Sequence, residues 1–165
     1  MKNIQIITLL FTFVILTGCY NGNQNKEINK FSGLWKLHII EQQDSITKEW
    51  NEWRDGLQGY ILYDEKENMA VHLTSKGYQN TDLVFKNLID TVSIEELKYL
   101  TQSYVYFAKY TVNEEDKIIE HARISHSNPN EWNMVVKRRY EFIGDTLKLT
   151  TLENPDSPLR VTWVK

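Results

Sequence analysis

The chain contains 165 residues, of which 41% are hydrophobic and 25% are charged, and its formal net charge is −3 at pH 7. This length suits one folded domain with enough apolar material for a core, and the composition argues against disorder, collagen and coiled coil. The acidic balance gives no electrostatic reason to expect nucleic acid as a partner. A single cysteine excludes a disulfide framework and a cysteine-cluster zinc site.

The N-terminus predicts a targeting signal. Lys2 precedes an apolar stretch at residues 4–16, which is shorter than the roughly 20 residues that a membrane-spanning helix needs. The segment Leu16-Thr17-Gly18-Cys19 then resembles the lipobox of bacterial lipoproteins, which implies cleavage before Cys19 and a lipid on its thiol. The alternative is an ordinary secretory signal or a short membrane anchor with an incidental cysteine.

The mature chain is expected to contain a tether and one domain. We expect residues 1–18 to be removed and Cys19 to hold the protein in a membrane of the bacterial cell envelope, facing the periplasm or the exterior. Residues 19–30 are rich in Asn, Lys and Gln and predict a flexible tether. Residues 31–165 predict a folded domain, which we expect to be a monomer.

Alternation of apolar and polar residues dominates this domain and predicts strands. In the first strand Trp35, Leu37 and Ile39 share a face, and we expect Trp35 to be buried. Asn68 stands where a hairpin turn often requires positive φ, and Gly144-Asp145 predicts another hairpin. Residues 74–92 show no assignable pattern. The predicted strands are residues 33–40, 59–63, 69–73, 104–112, 117–125, 134–143, 146–152 and 159–164.

A short helix is predicted near residues 93–102, because Ser93 and Glu96 have the spacing of a capping box. Eight strands with short connections are expected to pair antiparallel. The predicted fold class is therefore all-β, an eight-stranded antiparallel up-and-down barrel with one short helix. A two-sheet sandwich is the alternative that periodicity does not separate from a barrel.

Several segments together resemble the lipocalin-like domain family of small bacterial proteins. They are residues 33–37 (GLWKL), 59–63 (GYILY), 106–110 (YFAKY), 119–121 (IEH) and 138–147 (RRYEFIGDTL). Two positions differ from the family pattern, since Asn68 and Lys109 stand where glycine is usual. The resemblance implies a β-barrel with a possible cavity, and it implies neither a particular ligand nor a catalytic set.

No catalytic or metal-binding signature is recognised, so we predict neither an enzyme nor a cofactor or metal site. The motifs of serine hydrolases, zinc peptidases, P-loop proteins and dinucleotide-binding proteins are absent from the sequence. His121 and His126 are five positions apart, which places them on opposite faces of a continuous strand. That separation excludes shared metal ligation unless a loop begins near Ser125.

Arg138 is the most informative polar residue. It alternates with Val136, Tyr140 and Phe142, a face that is otherwise apolar and is expected to point inward. A buried guanidinium needs a partner, because an unpaired buried charge is very costly. The candidate partners are Glu120, a tyrosine hydroxyl or the carboxylate of a ligand.

The sequence leaves open which side chains of the predicted strand at residues 117–125 point into the barrel. The alternation of Ile118, Ala122 and Ile124 places Glu120 inside, whereas the family resemblance implies that His121 is inside.

These patterns predict a lipid-anchored binding protein for a small hydrophobic or anionic amphipathic molecule. The alternative is a structural or interaction protein of the envelope with a filled barrel and no ligand, and an enzyme has the least support. The candidate ligand-binding residues are Arg138 as the polar anchor, His121 as a second polar contact, and Tyr63, Tyr106 and Tyr110 as walls.

Overall fold

The computed structural model describes residues 28–54, 56–82 and 93–165. The strands are β1 (Gly33–Gln43), β2 (Trp50–Glu52), β3 (Leu57–Tyr63), β4 (Asn68–Ser75), β5 (Tyr104–Asn113), β6 (Ile118–His126), β7 (Val135–Ile143), β8 (Thr146–Thr151) and β9 (Leu159–Val164). A helix, α1 (Ile94–Gln102), precedes β5, and short 3-10 turns occupy Tyr78–Asn80 and Pro129–Glu131. The predicted signal peptide and residues 83–92 lie outside the described residues.

The strands close into a barrel. Their order in the sheet is β2-β1-β3-β4-β5-β6-β7-β8-β9, all neighbours pair antiparallel, and β1 also pairs with β9. Eight strands therefore form a closed up-and-down barrel, and β2 is an additional strand against the end of β1. The predicted barrel is confirmed and the sandwich is excluded. The sequence pattern missed β2 because three residues are too few to show a period of two.

The predicted helix is confirmed by its capping box. The Ser93 N–H donates to Glu96 Oε2 at 2.8 Å, and the Glu96 N–H donates to Ser93 Oγ at 3.2 Å. These two bonds satisfy backbone donors that the first turn of α1 leaves unpaired. Gly144 has a φ of 55°, as the predicted hairpin requires. The prediction for Asn68 is wrong, because Glu67 takes the positive φ of 63° and Asn68 opens β4.

A β-bulge in β1 changes which side chains face inward. The register against β9 shifts between Leu37 and Ile39, so the alternation skips one position. Ile40 is consequently buried with an exposed fraction of 6%, whereas Ile39 is only half-buried. The predicted inward face of Trp35, Leu37 and Ile39 is correct up to the bulge and wrong after it.

A second bulge lies in β6, where Ile124 has no partner on β5 between the paired residues Arg123 and Ser125. The extra residue returns His126 to the inside of the barrel, so both His121 and His126 are buried. The prediction that these two histidines occupy opposite faces is therefore wrong, because it assumed an uninterrupted strand.

One half of the barrel interior, which we call the closed half, is filled by aromatic side chains around Phe31. The Phe31 ring lies 5.4 Å from Tyr63, 5.0 Å from Tyr140 and 4.8 Å from Phe142, centroid to centroid. Trp35, which is 2% exposed, donates its indole N–H to the Phe31 carbonyl at 2.7 Å. The predicted burial of Trp35 is confirmed.

Residues 28–31 form a helical turn that carries Phe31 to this position. Ile28 packs against the core, and the Ser32 N–H donates to the Ile28 carbonyl at 3.1 Å. The prediction of a flexible tether up to residue 30 is therefore wrong for residues 28–30, which belong to the fold. Residues 19–27 lie outside the described part of the chain.

The other half, which we call the open half, begins where β3 separates from β1. The last pair between these strands is Lys36 with Tyr60, and the next residue of β3 toward its start is Gly59, with a φ of 147°. A Cβ at Gly59 would lie 1.9 Å from the carbonyl oxygen of His72, so only glycine fits here. Past the last pair with β3, the Ile40 carbonyl of β1 accepts a hydrogen bond from the Trp53 N–H instead, at 2.8 Å.

Candidate functional site

The open half contains a cavity of about 670 Å³. Inward side chains of five strands form its apolar walls, and they include Ile40, Ile61, Val71, Leu149, Val161 and Trp163. The end of α1, the loop at residues 127–131 and Trp53 surround its mouth. The indole N–H of Trp163 is buried and has no hydrogen-bond partner. The cavity therefore offers a largely apolar interior with an unused donor in its wall.

His121 forms a polar floor between the two halves. Its Nε2 lies 3.0 Å from the Tyr63 hydroxyl and its Nδ1 lies 2.9 Å from the Tyr106 hydroxyl. Burial, together with the positive charges of Arg138 and Arg123, lowers the pKa of His121 to about 3. The imidazole is consequently neutral, with one ring nitrogen donating to a tyrosine and the other accepting from one.

These contacts show which side chains of β6 point into the barrel. His121 is 1% exposed, whereas Glu120 faces outward and its Oε1 lies 2.6 Å from Lys137 Nζ. The phase that the family resemblance implied is correct, and the apolar alternation of Ile118, Ala122 and Ile124 was misleading.

Arg138 lines the cavity, as its inward phase predicted, and its side chain is 15% exposed. Its Nη1 lies 2.5 Å from Glu153 Oε1 and donates to the Lys137 carbonyl at 2.8 Å. Burial acts to raise the pKa of Glu153, but the charge and hydrogen bond of Arg138 outweigh it and lower that pKa. Glu120 is therefore not the partner of Arg138. The sequence pattern missed Glu153 because it follows the last residue of β8 and belongs to no alternating face.

A second arginine, Arg123, lies next to the cavity with an exposed fraction of 3%. It forms an ion pair with Glu131, donates to the Tyr104 hydroxyl at 2.6 Å and lies 4.9 Å from the Tyr106 ring. His126 stacks on Tyr106 with a centroid distance of 5.6 Å. Sequence reasoning missed this cluster. The available signal was that Arg123 shares the inward face of β6 with His121.

The predicted site residues fall into two groups. Arg138, His121 and Tyr106 line the cavity, whereas Tyr63 lies beneath the floor and reaches the site only through its bond to His121. Tyr110 belongs to the closed half and donates its hydroxyl to the Asp64 carbonyl at 2.7 Å. Burial raises the pKa of Tyr110 to about 12. Cys19 lies outside the described residues.

Within the described ranges, no group of three or more His, Cys, Asp or Glu side chains is arranged to hold a metal ion. The helices of the same residues include none with the length and apolar character needed to cross a bilayer.

Of the comparisons with known proteins, the match to a family model agrees with the barrel. A search of curated proteins found no match. Among solved structures, a redesigned beta barrel is similar with a TM-score of 0.41 and 13% sequence identity, over 84% of this chain and 93% of that chain. A family model described as a lipocalin-like domain matches residues 32–162, which include all nine strands except the end of β9. The chain belongs to the lipocalin-like domain family.

Proposed function

We propose that this protein binds a small amphipathic molecule whose apolar body occupies the cavity of the open half. The observation that carries the proposal is the cavity of about 670 Å³ with apolar walls, a volume typical of small-molecule sites. A structural protein with a filled barrel is the alternative, and the packed aromatic side chains of the closed half show what such filling looks like. The same chain leaves the open half unfilled.

The charges at the cavity favour an anionic head group. Among the described residues that line it, the charged side chains are Arg54, Arg138 and Glu131, a local excess of one positive charge in a protein of net charge −3. The Arg54 guanidinium lies 3.9 Å from the Trp53 ring, beside the mouth. A guanidinium offers forked donors that match a carboxylate or phosphate.

A non-enzymatic role fits the chemistry of the lining. Among the described residues that line the cavity, His121 is the only histidine. Both of its ring nitrogens are hydrogen-bonded to tyrosine hydroxyls. Its pKa of about 3 leaves it too weakly basic to take a proton at neutral pH. Burial also raises the pKa of Tyr106 and Tyr63, so neither supplies a phenolate.

Titration with a fluorescent fatty acid, dansylaminoundecanoic acid, tests this function. We expect one molecule to bind per chain and to bind at least about tenfold more tightly than its neutral methyl ester. A Val161→Phe variant, which narrows the cavity, is expected to lose binding, whereas Val135→Phe on the outer face of β7 retains it. No binding by the parent protein would refute the function, and equal affinity for acid and ester would refute the anionic head group.

We further propose that the protein acts at a membrane of the bacterial cell envelope, held by lipid on Cys19. The support is the order of Lys2, the apolar stretch at residues 4–16 and the lipobox-like segment that ends at Cys19. The Cys19→Ser variant is expected to leave the membrane fraction while the barrel stays folded, and Asn21→Ser is the control that retains the cysteine. A Cys19→Ser protein that still sediments with membranes after a high-salt wash would refute the lipid anchor.

A further inference from the structure

Two buried side chains beside the cavity leave hydrogen-bond donors unused. The Arg123 side chain is 2% exposed, and its Nε has no partner. His126, with a fully buried side chain, accepts the Asn128 N–H at its Nδ1 at 2.8 Å, so its Nε2 carries the proton. That Nε2 also lacks a hydrogen-bond partner. Unused buried donors are costly, so their presence together calls for a physical reason.

Glu131 lies next to these side chains but accepts no hydrogen bond from Arg123 Nε or His126 Nε2. Its Oε2 pairs with Arg123 Nη1, stays 3.5 Å from His126 Nε2 and accepts a long bond of 3.4 Å from the Tyr104 hydroxyl. Its Oε1 accepts from Asn128 Nδ2 at 3.3 Å. The carboxylate is held by the short 3-10 turn at Pro129–Glu131, lines the cavity and is 30% exposed.

We propose that Arg123, His126 and Tyr104 form an anion subsite, and that Glu131 occupies it in place of the carboxylate of a bound amphiphile. This proposal rests on the binding function above and names where the head group is held. A free carboxylate is not restricted by a protein backbone, so it can pair with Arg123 Nη1 and also accept from His126 Nε2 at hydrogen-bond distance. Glu131 accepts from Nη1 but leaves the His126 Nε2 donor unpartnered.

Glu131 can leave this position by turning toward solvent. Its side chain is partly exposed, so the carboxylate is hydrated when it swings outward with the turn at Pro129–Glu131. Arg123 then keeps a carboxylate partner throughout the exchange, and no buried charge is left unpaired. Arg138 is less suited to this role because its Nη1 already bonds Glu153 and the Lys137 carbonyl, and its side chain is more exposed than that of Arg123.

The Glu131→Gln variant tests the exchange. It keeps the shape of the side chain and removes the competing charge, so we expect dansylaminoundecanoic acid to bind about tenfold more tightly than to the parent. Affinity for the methyl ester is expected to stay within about twofold. Glu120→Gln is the matched control, because it removes the same charge from the outer face of β6, beside Lys137. Unchanged or weaker acid binding by a folded Glu131→Gln protein would overturn the subsite.

A second measurement uses the unmodified protein. Dodecanoic acid is expected to shift the Arg123 Nε–H resonance in a ¹H–¹⁵N spectrum, assigned with Arg123→Lys, and dodecanol is expected to leave it in place. If the parent binds the acid but neither this resonance nor Glu131→Gln responds, the subsite is wrong and the binding function stands. If the parent does not bind the acid, both proposals fail.

Discussion

The two halves of the barrel interior are built from the same strands, but one half is filled by side chains and the other contains a cavity. In the closed half, Phe31 packs against Tyr63, Tyr140 and Phe142, and Trp35 completes the core. In the open half, the same strands contribute mostly smaller aliphatic side chains together with Arg138, and a cavity of about 670 Å³ remains. The closed half supplies most of the dense packing that stabilises the fold, which allows the open half to keep an unfilled cavity.

The boundary between the halves is polar. His121 and the hydroxyls of Tyr63 and Tyr106 satisfy one another, so the floor of the cavity costs little despite its burial. The cluster of Arg123 and His126 beside the cavity is different, since both side chains retain unused donors. The floor is therefore a finished structural element, whereas the donors of this cluster stay available, as the proposed anion subsite requires.

The largest expected effect is on the closed half. Trp35→Ala is expected to lower the free energy of unfolding by roughly 3–5 kcal/mol, because it removes a large buried side chain from packed surroundings. Leu159→Ala, at a half-buried position that already faces the cavity, is expected to cost only about 1 kcal/mol. Urea unfolding measures both values, and equal costs would contradict the division into a filled and an unfilled half.

The floor is expected to make the fold sensitive to acid. The pKa of His121 is about 3 in the folded protein and about 6.5 in an unfolded chain, so the unfolded state binds more protons as the pH falls below about 6.5. His121 alone therefore lowers the free energy of unfolding by up to about 1.4 kcal/mol for each pH unit in this window.

Urea unfolding between about pH 7 and pH 4 tests that expectation. His121→Gln is expected to show a shallower dependence on pH, by one proton, and His38→Gln at an exposed position of β1 is expected to match the parent. Burial also lowers the pKa of His126, so part of the acid sensitivity remains in His121→Gln. An identical slope in His121→Gln and the parent would show that the floor does not hold a neutral imidazole.

The smallest expected effect on stability is at Arg138 in the cavity wall. Arg138→Met frees Glu153, whose side chain is 46% exposed and can be hydrated, so the fold is expected to lose less than about 1 kcal/mol. Affinity for dansylaminoundecanoic acid is expected to fall by no more than about tenfold, because Arg138 attracts a head group held at Arg123 only through its charge. Lys137→Met removes the same charge on the outer side of β7 and serves as the control. A strongly destabilised Arg138→Met with unchanged affinity would make Arg138 a structural residue.

The period of two was sufficient to predict the main strands, the inward face of β7 and the burial of Trp35, but it did not separate a barrel from a sandwich. It failed at the two bulges, because one inserted residue reverses every later side chain, as Ile40 and His126 show. It also failed for partners that come from loops. Glu153 and Glu131 lie outside the strands, and their positions depend on the closed three-dimensional barrel rather than on any local pattern.

In β6 the family resemblance predicted the inward-facing residue correctly where periodicity did not. Alternation along the strand favoured Glu120 inside, whereas the family pattern correctly placed His121 there. The apolar residue Ile124 misled the pattern because it sits in the bulge and is 56% exposed. The same family phase also places Arg123 inside, two residues after His121, but the alternation of apolar residues along the strand favoured the opposite face.

The most direct test of this account follows the tryptophan indole N–H resonances while dodecanoic acid is added to the purified protein. The chain contains five tryptophans, and Trp→Phe variants assign their signals. We expect the resonances of Trp163 and Trp53, which line the cavity, to shift and saturate together. The resonance of Trp35, bonded to Phe31 in the closed half, is expected to stay in place. Unmoved Trp163 and Trp53 signals, or a Trp35 shift of equal size, would contradict a ligand site in the open half.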